Sequence, residues 1–480
     1  MNHRMVFSTV GKMVWAEAIL LLLPYIISLV YKEACAEAFL ITIITAVVTG
    51  TLLVLLFKKK NDVIYSKEGF LTVSLSWIVL SLIGALPFRI SGEIPHYIDA
   101  VFETVSGFTT TGASILTDIE AMSRGLLFWR SFTHWIGGMG VLVFVMAIIP
   151  NVSKRSIHIM RAEVPGPVKG KLVPKLRDTA KILYTIYIVM TIIEIVLLRL
   201  GNMPWFDSIV HSFGTAGTGG FGIKADSIAS YSPYLQWVIT IFMILFGVNF
   251  NIYFLLIIGR IRSILKSTEL WVYLGVIALA VLCISFNIYP MYNDVSDTVR
   301  DAAFQVGSII TTTGYATADF DLWPSFSKAI LFSLMLIGAC AGSTGGGFKV
   351  SRVIIVFKKI SSEIKRLLHP RSVKTITFEG KRLEEQTING VTVYLAIYIA
   401  CFVLLFLAVS LDKFDFETNF SAVSACFNNI GPGFGAVGPT GSFAGYSIFS
   451  KIILTFAMLL GRLEIFPLII VAMPGTWSKN

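Results

Sequence analysis

The stretch Asp301-Ala-Ala-Phe-Gln-Val-Gly-Ser-Ile-Ile-Thr-Thr-Thr-Gly314 has a near-copy in the same chain, Asp99-Ala-Val-Phe-Glu-Thr-Val-Ser-Gly-Phe-Thr-Thr-Thr-Gly112. Aligned without gaps, the two share eight of their fourteen positions. Each copy is too short to cross a bilayer, but each lies between long apolar segments. Irregular backbone at membrane depth is tolerated only where protein or a water-filled path covers it. We therefore expect a short helix followed by a loop of bare carbonyl groups, which is suited to dehydrating an ion.

The composition is that of a membrane protein. Of the 480 residues, 55% are hydrophobic and 14% are charged, and the mean hydropathy is +0.76. A soluble domain has roughly 25% charged residues. The net charge of +10 does not indicate nucleic-acid binding, because the basic residues are spread over the loops between apolar segments. The five cysteines have no C-x-x-C spacing and the six histidines have no HExxH grouping, so we expect neither a disulfide framework, nor a catalytic metal centre, nor an enzyme.

Ten apolar segments are predicted to cross the membrane, several of them longer than the ~20 residues that a bilayer requires. They are Met13–Tyr31, Ala38–Phe57, Gly69–Phe88, Phe132–Ile149, Ile182–Leu200, Leu235–Ile258, Leu270–Ile288, Ala329–Phe357, Val391–Leu411 and Ile448–Met473. This pattern predicts an all-α integral membrane protein.

The charged residues predict an orientation. Of the 39 Lys and Arg residues, 25 fall in four loops, at residues 58–67, 154–181, 260–266 and 349–382, which should be cytoplasmic. The opposite loops carry acidic residues that predict a cation-concentrating outer mouth, although individual members are equally compatible with solvated loops. They are Asp99, Glu103, Asp118, Glu120, Asp207, Asp226, Asp294, Asp297, Asp301, Asp319, Asp321, Asp415 and Glu417.

Two further copies of the short segment complete a set of four. The second, Asp207-Ser-Ile-Val-His-Ser-Phe-Gly-Thr-Ala-Gly-Thr-Gly-Gly220, keeps the leading Asp and the final Gly at the same spacing. The other, ending in Asn428-Asn-Ile-Gly431, keeps the glycine but lacks the threonines. Fourfold repetition of span, short loop-bearing helix and span predicts a ring of re-entrant loops around a central pore.

We therefore divide the chain into two extra N-terminal transmembrane helices and four pore repeats. The boundaries are residues 1–65, 66–165, 166–266, 267–375 and 376–480, with a broken second helix in the third repeat. Backbone carbonyls near the end of each copy are predicted to line the ion path. The predicted ion-binding residues are Thr110, Thr111, Gly112, Thr218, Gly219, Gly220, Thr312, Thr313, Gly314, Asn429, Ile430 and Gly431.

These motifs resemble the Trk/Ktr/HKT superfamily of potassium transporters, and most closely the TrkH/TrkG-type membrane subunit of bacterial Trk systems. The resemblance covers essentially the whole chain. Besides TTTGYA at 311–316, it is carried by RSFTHWIGGMG at 130–140, AGSTGGGFK at 341–349, NNIGPG at 428–433 and GRLE at 461–464. The two spans before the first repeat favour the Trk type over the Ktr type.

The resemblance implies potassium as the transported ion. In this superfamily a glycine in all four loops accompanies potassium preference, whereas a serine in the first accompanies sodium, and this chain has Gly112. The fourth loop departs from the pattern, because Asn429-Ile430 stands in place of Thr-Thr. The resemblance also implies a homodimer in the lipid of the bacterial inner membrane, with a TrkA-type cytosolic regulatory subunit that binds nucleotides.

The eighth of the ten predicted spans, Ala329–Phe357, contains a glycine-rich stretch that predicts a break. A glycine inside a helix costs roughly 1 kcal/mol relative to alanine. The phosphate-loop pattern fails, because Gly347-Phe-Lys349 is not GK[ST] and no strand precedes it. We interpret the stretch as a mobile constriction below the filter, and a fixed kink is the alternative. The predicted gate residues are Gly342, Ser343, Thr344, Gly345, Gly346 and Gly347.

Arg462 is predicted to join this gate. It lies well inside the last apolar segment, where an arginine is costly and usually faces a cavity or a partner. By resemblance it lies beneath the filter and holds off cations until the gate opens. The alternative is a structural arginine that snorkels or pairs with Glu464.

The main hypothesis is potassium uptake through a gated pore, driven by the membrane potential. An ion-coupled symporter that uses Na⁺ or H⁺ is the principal alternative, and a sodium-permeable cation transporter is a further one. An intramembrane hydrolase would require a nucleophile–base constellation, which the sequence does not supply. A receptor or scaffold would leave the four glycine-ended segments unexplained.

Overall fold

The computed structural model describes residues 3–57, 66–140, 176–292, 294–370 and 375–477. Within these ranges the chain is helical, apart from one two-stranded hairpin formed by β1 (Thr377–Phe378) and β2 (Lys381–Arg382). The all-α prediction is therefore confirmed. The basic residues at 58–60 and 154–175, the end of the predicted span Phe132–Ile149 and the predicted boundary at 165/166 lie outside the described residues.

The helices are numbered here along the described chain. They are α1 His3–Leu20, α2 Leu22–Val30, α3 Cys35–Leu56, α4 Ser66–Gly84, α5 Leu86–Ile90, α6 Tyr97–Phe108, α7 Arg124–Gly138, α8 Leu176–Leu200, α9 Trp205–Gly217, α10 Pro233–Phe246, α11 Phe250–Ile257, α12 Ile261–Leu265, α13 Thr268–Ile288, α14 Val295–Ile310, α15 Ser325–Ile337, α16 Val350–Leu368, α17 Glu385–Val409, α18 Phe416–Phe427, α19 Ile448–Arg462, α20 Phe466–Ala472 and α21 Pro474–Trp477.

Fewer uninterrupted spans are present than the sequence predicts. In the described ranges, six stretches are long and apolar enough to cross a membrane, or seven if the bent pair α10 and α11 counts as one. The six are His3–Val30, Cys35–Leu56, Lys67–Ile90, Thr179–Leu200, Thr268–Met291 and Glu385–Val409.

Three predicted spans are interrupted, and only one of those breaks was expected. The expected break separates α15 from α16 at residues 338–349. The predicted span Leu235–Ile258 instead bends by 91° between α10 and α11, so its prediction as one continuous helix is wrong. Ile448–Met473 is also wrong as one helix, because Glu464 and Ile465 adopt positive φ angles of 57° and 66° between α19 and α20.

Side-chain caps explain where several helices begin after these breaks and turns. The side chain of Asn249 accepts a hydrogen bond from the Asn251 N–H and starts α11 directly after the bend. Ser267 caps α13 in the same way, and Asp415 caps the short helix α18 by accepting from the Thr418 N–H. Such caps satisfy backbone donors that a helix leaves unpaired at its N-terminus.

Four short helices, α6, α9, α14 and α18, lie among the longer ones. Each packs on a segment that follows it in the chain: α6 on α7, α9 on α10, α14 on α15 and α18 on α19. Each also packs on a segment from the unit before it: α9 on α7, α14 on α10, α18 on α15 and α6 on α19. The last of these contacts joins the first unit to the fourth, so the packing runs in a closed cycle.

Candidate functional site

The four short helices end in the same hydrogen-bond pattern. The Thr111 N–H donates to the Ser106 carbonyl at 2.8 Å, and Thr313 donates to Ser308 at the same distance. In the other two copies, Gly219 donates to Gly214 at 2.8 Å and Ile430 to Ala425 at 2.9 Å. Each bond spans five residues and closes a Schellman turn, which satisfies carbonyls at the end of a helix.

The residue that turns each helix end is left-handed. Thr110 and Thr218 have φ of 55°, Thr312 of 59° and Asn429 of 57°. Glycine is the usual residue here, and a β-branched threonine with positive φ is strained. Asparagine tolerates the left-handed region better than other non-glycine residues. The departure of the fourth loop from the threonine pattern therefore preserves the backbone shape of the other three.

Two residues later each loop has a glycine with positive φ. The angles are 80° at Gly112, 75° at Gly220, 86° at Gly314 and 103° at Gly431. We call the four segments loop 1 (109–112), loop 2 (217–220), loop 3 (311–314) and loop 4 (428–431). Each loop therefore contains, in chain order, a left-handed residue, an intermediate residue and a left-handed glycine. The same backbone conformation thus occurs four times.

The four terminal glycines contact one another's loops in a circle. A β-carbon on Gly112 would overlap the carbonyl oxygen of Gly219 in loop 2, and one on Gly220 would overlap that of Thr313 in loop 3. A β-carbon on Gly314 would overlap the carbonyl oxygen of Ile430 in loop 4. A β-carbon on Gly431 would lie 2.8 Å from the carbonyl oxygen of Thr111, which returns to loop 1.

The structure therefore brings together all twelve residues that the sequence singles out for ion binding. The side chains at the intermediate and left-handed positions are buried in the protein, and none faces lipid. Those residues are Thr110, Thr111, Thr218, Thr312, Thr313, Asn429 and Ile430. Each loop brings a main-chain oxygen against the terminal glycine of its neighbour, and main-chain oxygens are groups that can replace water around a cation.

The glycine-rich loop (338–349) packs directly against loops 3 and 4. A β-carbon on Gly345 would lie 2.8 Å from the Thr311 carbonyl oxygen, and one on Gly346 would lie 2.5 Å from that of Asn428. The Gly346 N–H also donates a hydrogen bond of 2.6 Å to Oγ1 of Thr312. The absence of side chains at these two positions is thus what allows the close approach.

The unexpected bend between α10 and α11 holds the glycine-rich loop. The Cys340 N–H donates to the Gly247 carbonyl at 3.1 Å, and the Phe250 N–H donates to the Gly342 carbonyl at 3.0 Å. The Thr344 hydroxyl donates to the Phe246 carbonyl at 3.3 Å. The backbone groups freed by the two breaks therefore satisfy each other, as membrane depth requires.

Two cations, the buried Lys349 and the partly buried Arg462, hold carbonyls of the same loop. The Arg462 guanidinium donates to the carbonyl of Thr344 at 2.8 Å and to that of Gly138, at the end of α7, also at 2.8 Å. The Lys349 ammonium donates to the Gly345 carbonyl. Arg462 thus contacts the glycine-rich loop as the sequence predicts.

The alternative pairing of Arg462 with Glu464 is not the one observed. Glu464 instead accepts a hydrogen bond from Arg352 at 2.7 Å. A cavity lies next to this network. It is lined by Gly342, Ser343, Gly345, Gly346, Gly347 and Arg462 together with Lys349 and Glu464.

Several acidic residues predicted for the outer mouth are engaged with basic side chains. Glu103 forms a buried ion pair with Arg130, Asp99 pairs with Lys451 at 2.7 Å, and Asp321 pairs with Lys328 at 2.9 Å. The prediction that Glu103 belongs to an open mouth is wrong. Glu103 lies on the short helix α6, so its side chain is enclosed once that helix is packed.

His134 supports loop 2 in a way that the sequence does not reveal. Its Nδ1 lies 2.7 Å from the Gly107 carbonyl oxygen, and its Nε2 accepts from the Phe221 N–H at 3.3 Å. These partners require a neutral ring that is protonated on Nδ1. The ring also fills the space that a β-carbon on Gly219 would occupy.

Tyr315 and Glu269 are further residues missed by sequence reasoning. The Tyr315 hydroxyl lies 3.1 Å from the His211 carbonyl and 3.3 Å from the Phe221 carbonyl, which joins the end of loop 3 to loop 2. Glu269 accepts a 2.7 Å hydrogen bond from the Ala341 N–H of the glycine-rich loop. The position of Tyr315 after Thr-Thr-Thr-Gly was the available signal, whereas Glu269 resembles an ordinary acidic residue in a first helical turn.

The chain was compared with known families and structures. The model of the family described as "TrkH: Cation transport protein" matches residues 36–478. The potassium uptake protein TrkH of the Trk system of Escherichia coli K12 is 36% identical, with 100% of each chain covered. The related TrkG of the same strain is 35% identical, with 99% of each chain covered.

A solved structure shares the fold. The crystal structure of the potassium transporter TrkH from Vibrio parahaemolyticus superposes with a TM-score of 0.89 at 32% identity, and covers 100% of both chains. The family match spans most of the sequence, and the similarity in sequence and structure extends over the full length. The chain therefore belongs to the TrkH family of cation transport proteins, as a membrane transporter and not an enzyme.

Proposed function

We propose that this protein takes up potassium ions across the bacterial cytoplasmic membrane through a pore formed by loops 1–4. The curated relatives are potassium uptake proteins of Trk systems, and they align over the whole chain. The observation that carries the proposal is the closed circle in which each terminal glycine contacts the carbonyl of the next loop. Four loops from one chain then supply a ring of main-chain oxygens to one dehydrated ion.

The ion path runs along the residues of the four loops. Carbonyls of the left-handed and intermediate residues replace hydration water, and the terminal glycines allow the loops to approach. The proposed filter is Thr110, Thr111, Gly112, Thr218, Gly219, Gly220, Thr312, Thr313, Gly314, Asn429, Ile430 and Gly431. Glycine in all four terminal positions supports potassium over sodium, and the repeat boundaries given above delimit the four units.

The glycine-rich loop and Arg462 form the proposed gate. Gly345 and Gly346 pack against loops 3 and 4, and the Arg462 guanidinium holds the Thr344 carbonyl. A fixed positive charge at this depth repels cations that leave the filter. Opening requires the loop to leave the axis, which is supported by its scarcity of side chains.

Coupled symport with protons is the second candidate, and one residue favours it. Glu17 of α1 is buried, and within the described residues neither of its carboxyl oxygens has a hydrogen-bond partner. A carboxyl group inside a membrane bundle is a default candidate for proton handling. Potassium flux that responds to voltage alone, and not to a proton or sodium gradient, would exclude this candidate.

The cytoplasmic side supplies a surface for a regulatory partner. Helix α16 continues from the glycine-rich loop and carries Lys358, Lys359, Lys365 and Arg366, followed by the β1–β2 hairpin. Contact there would act on the gate through a short covalent path. We propose that a TrkA-type nucleotide-binding subunit binds here and that the transporter is a homodimer.

Rescue of a bacterial strain that lacks potassium uptake tests the proposal. Expression of this chain should restore growth at limiting potassium, whereas Gly112→Ser should admit sodium alongside potassium. Uptake of both ions is measured in the same cells at matched membrane expression. Failure of the unmodified chain to restore uptake would overturn the function, and equal sodium permeation by both versions would overturn the assignment of selectivity to the four glycines.

A further inference from the structure

The Thr312 side chain joins loop 3 to the glycine-rich loop. Its Oγ1 accepts a hydrogen bond of 2.6 Å from the Gly346 N–H, and both residues are buried. A backbone N–H without a partner in such a place is costly, so the bond stabilises the position that the glycine-rich loop occupies here.

The equivalent side chains in the other loops are engaged differently. Thr110 has its Oγ1 buried and, among the described residues, without a hydrogen-bond partner. The Thr218 hydroxyl donates to the Gly217 carbonyl of its own loop. The Asn429 side chain donates to Oγ1 of Thr111 at 2.9 Å and to the Met458 carbonyl at 2.9 Å. The contact with Gly346 is therefore particular to loop 3.

The Thr312 hydroxyl is not needed to form the turn in which it lies. The backbone of loop 3 completes its own Schellman turn, because the Thr312 N–H donates to Ile309 at 3.1 Å and the Thr313 N–H to Ser308 at 2.8 Å. The same turn forms around Thr110, which lacks the side-chain contact. Removing the hydroxyl should consequently leave the shape of loop 3 intact.

Thr312 and Thr110 also have similar backbone strain. Their φ angles are 59° at Thr312 and 55° at Thr110, and both are β-branched. Valine has the same shape as threonine and the same branching, so it adds no new backbone strain at either position. Thr312→Val and Thr110→Val thus form a matched pair that differs in one respect: whether a hydrogen bond to the glycine-rich loop is lost.

We propose that the Gly346–Thr312 hydrogen bond is a latch between the gate and the filter, with Thr312 as a positioning residue for the glycine-rich loop. This inference rests on the proposed function. While the loop lies under the filter, one lone-pair direction of the Thr312 oxygen is directed to Gly346.

Rubidium flux into liposomes containing the purified full-length chain tests the latch. Thr312→Val should raise the basal flux by about five- to tenfold over Thr110→Val, because the closed loop then contains an unsatisfied N–H. Thr312→Ser, which keeps the hydroxyl and therefore the hydrogen bond to Gly346, should give a basal flux closer to that of Thr110→Val than to that of Thr312→Val. The half-saturating rubidium concentration is measured alongside the maximal flux, since a latch acts on the latter.

The possible outcomes distinguish failure of the latch proposal from failure of the pore proposal on which it rests. Equal fluxes for Thr312→Val and Thr110→Val, in an unmodified chain that conducts, would overturn the latch and leave the pore proposal intact. Absence of rubidium flux through the unmodified chain would overturn the pore proposal, and the latch with it. If Thr312→Val does not give a monodisperse protein, Thr312→Ala and Thr110→Ala provide a second pair with the same prediction.

Discussion

Nη2 of Arg130 lies 2.7 Å from Oε1 of Glu103, and both side chains are almost completely buried. Glu103 also accepts hydrogen bonds from the Ser114 hydroxyl at 3.0 Å and from the Ile115 N–H at 3.0 Å, so it holds the chain that leaves loop 1. The Arg130 guanidinium lies 4.0 Å from the centroid of the Phe221 ring, beyond loop 2. The Arg130–Glu103 pair thus links the segments that follow loops 1 and 2.

Glu103→Gln should destabilise the protein by about 3–5 kcal/mol, because it leaves the buried Arg130 guanidinium without its counter-charge. Thermal unfolding in detergent measures the effect. Asp297→Asn is the matched control, since the Arg300–Asp297 pair has the same 2.7 Å separation but Asp297 is 49% exposed. That control should change stability by less than about 1 kcal/mol. Equal losses from the two variants would contradict the structural role given to the buried pair.

Gly220→Ala should lower potassium flux or its selectivity over sodium, as Gly112→Ser is expected to change selectivity, since the added methyl group would overlap the Thr313 carbonyl oxygen and displace it. Gly92→Ala separates this steric effect from backbone strain. Gly92 has a similar φ of 81°, but no atom lies within 4 Å of the position of its β-carbon. Gly92→Ala should cost about 1–2 kcal/mol of stability from the left-handed backbone alone and leave flux unchanged. Normal flux and selectivity in a well-folded Gly220→Ala variant would show that the circle of loops is not the ion path.

Arg462→Gln should increase basal rubidium flux in liposomes by about tenfold or more, because charged hydrogen bonds to the Thr344 and Gly138 carbonyls are lost. Arg260→Gln is the control, since that side chain is exposed on the loop after α11. It should conduct like the unmodified chain. A decrease in flux through Arg462→Gln would argue instead that Arg462 is a structural residue needed to assemble the pore.

The effects of Arg352→Gln and Glu464→Gln on thermal stability should be coupled. The two side chains are 2.7 Å apart, and they link the start of α16 to the break after α19. A double-mutant cycle on thermal stability should give a coupling of about 0.5–3 kcal/mol. The Lys359–Glu363 pair on α16 has the same 2.7 Å separation but is solvent-exposed, so its cycle should show no coupling above error. Additive effects of the Arg352 and Glu464 changes would refute the link.

The fold class and the four loops could be predicted because their signals are local. Thr-Thr-Thr-Gly after a short apolar helix fixes both the turn and its depth, and Gly112 could be aligned with Gly314 by eye. The fourth loop has a weaker sequence signal, because Asn429 replaces a threonine. Its φ of 57° and the Ile430–Ala425 hydrogen bond show the same conformation. Loop 4 therefore repeats the backbone conformation of the other three loops without repeating their side chains.

The two unexpected breaks have tertiary causes. The segment Phe-Gly-Val-Asn at 246–249 is apolar enough to continue a span, and its bend is stabilised by Gly342 and Cys340, which are about ninety residues away in sequence. Ile465 is a β-branched residue with φ of 66°, and no local pattern favours that angle. Loops that satisfy one another's backbone groups across the bundle cannot be read from hydropathy.

The contact between Gly431 and the Thr111 carbonyl joins residues more than three hundred positions apart. During synthesis, loops 1, 2 and 3 reach the bilayer while the flank of loop 1 that Gly431 covers is still open. The aperture can therefore be completed only after translation has passed the last unit. In the pore proposed above, the carbonyls of loops 1–3 would lack their last neighbour until then, and lipid does not satisfy exposed backbone groups, so we expect late membrane insertion to be the vulnerable stage of biogenesis.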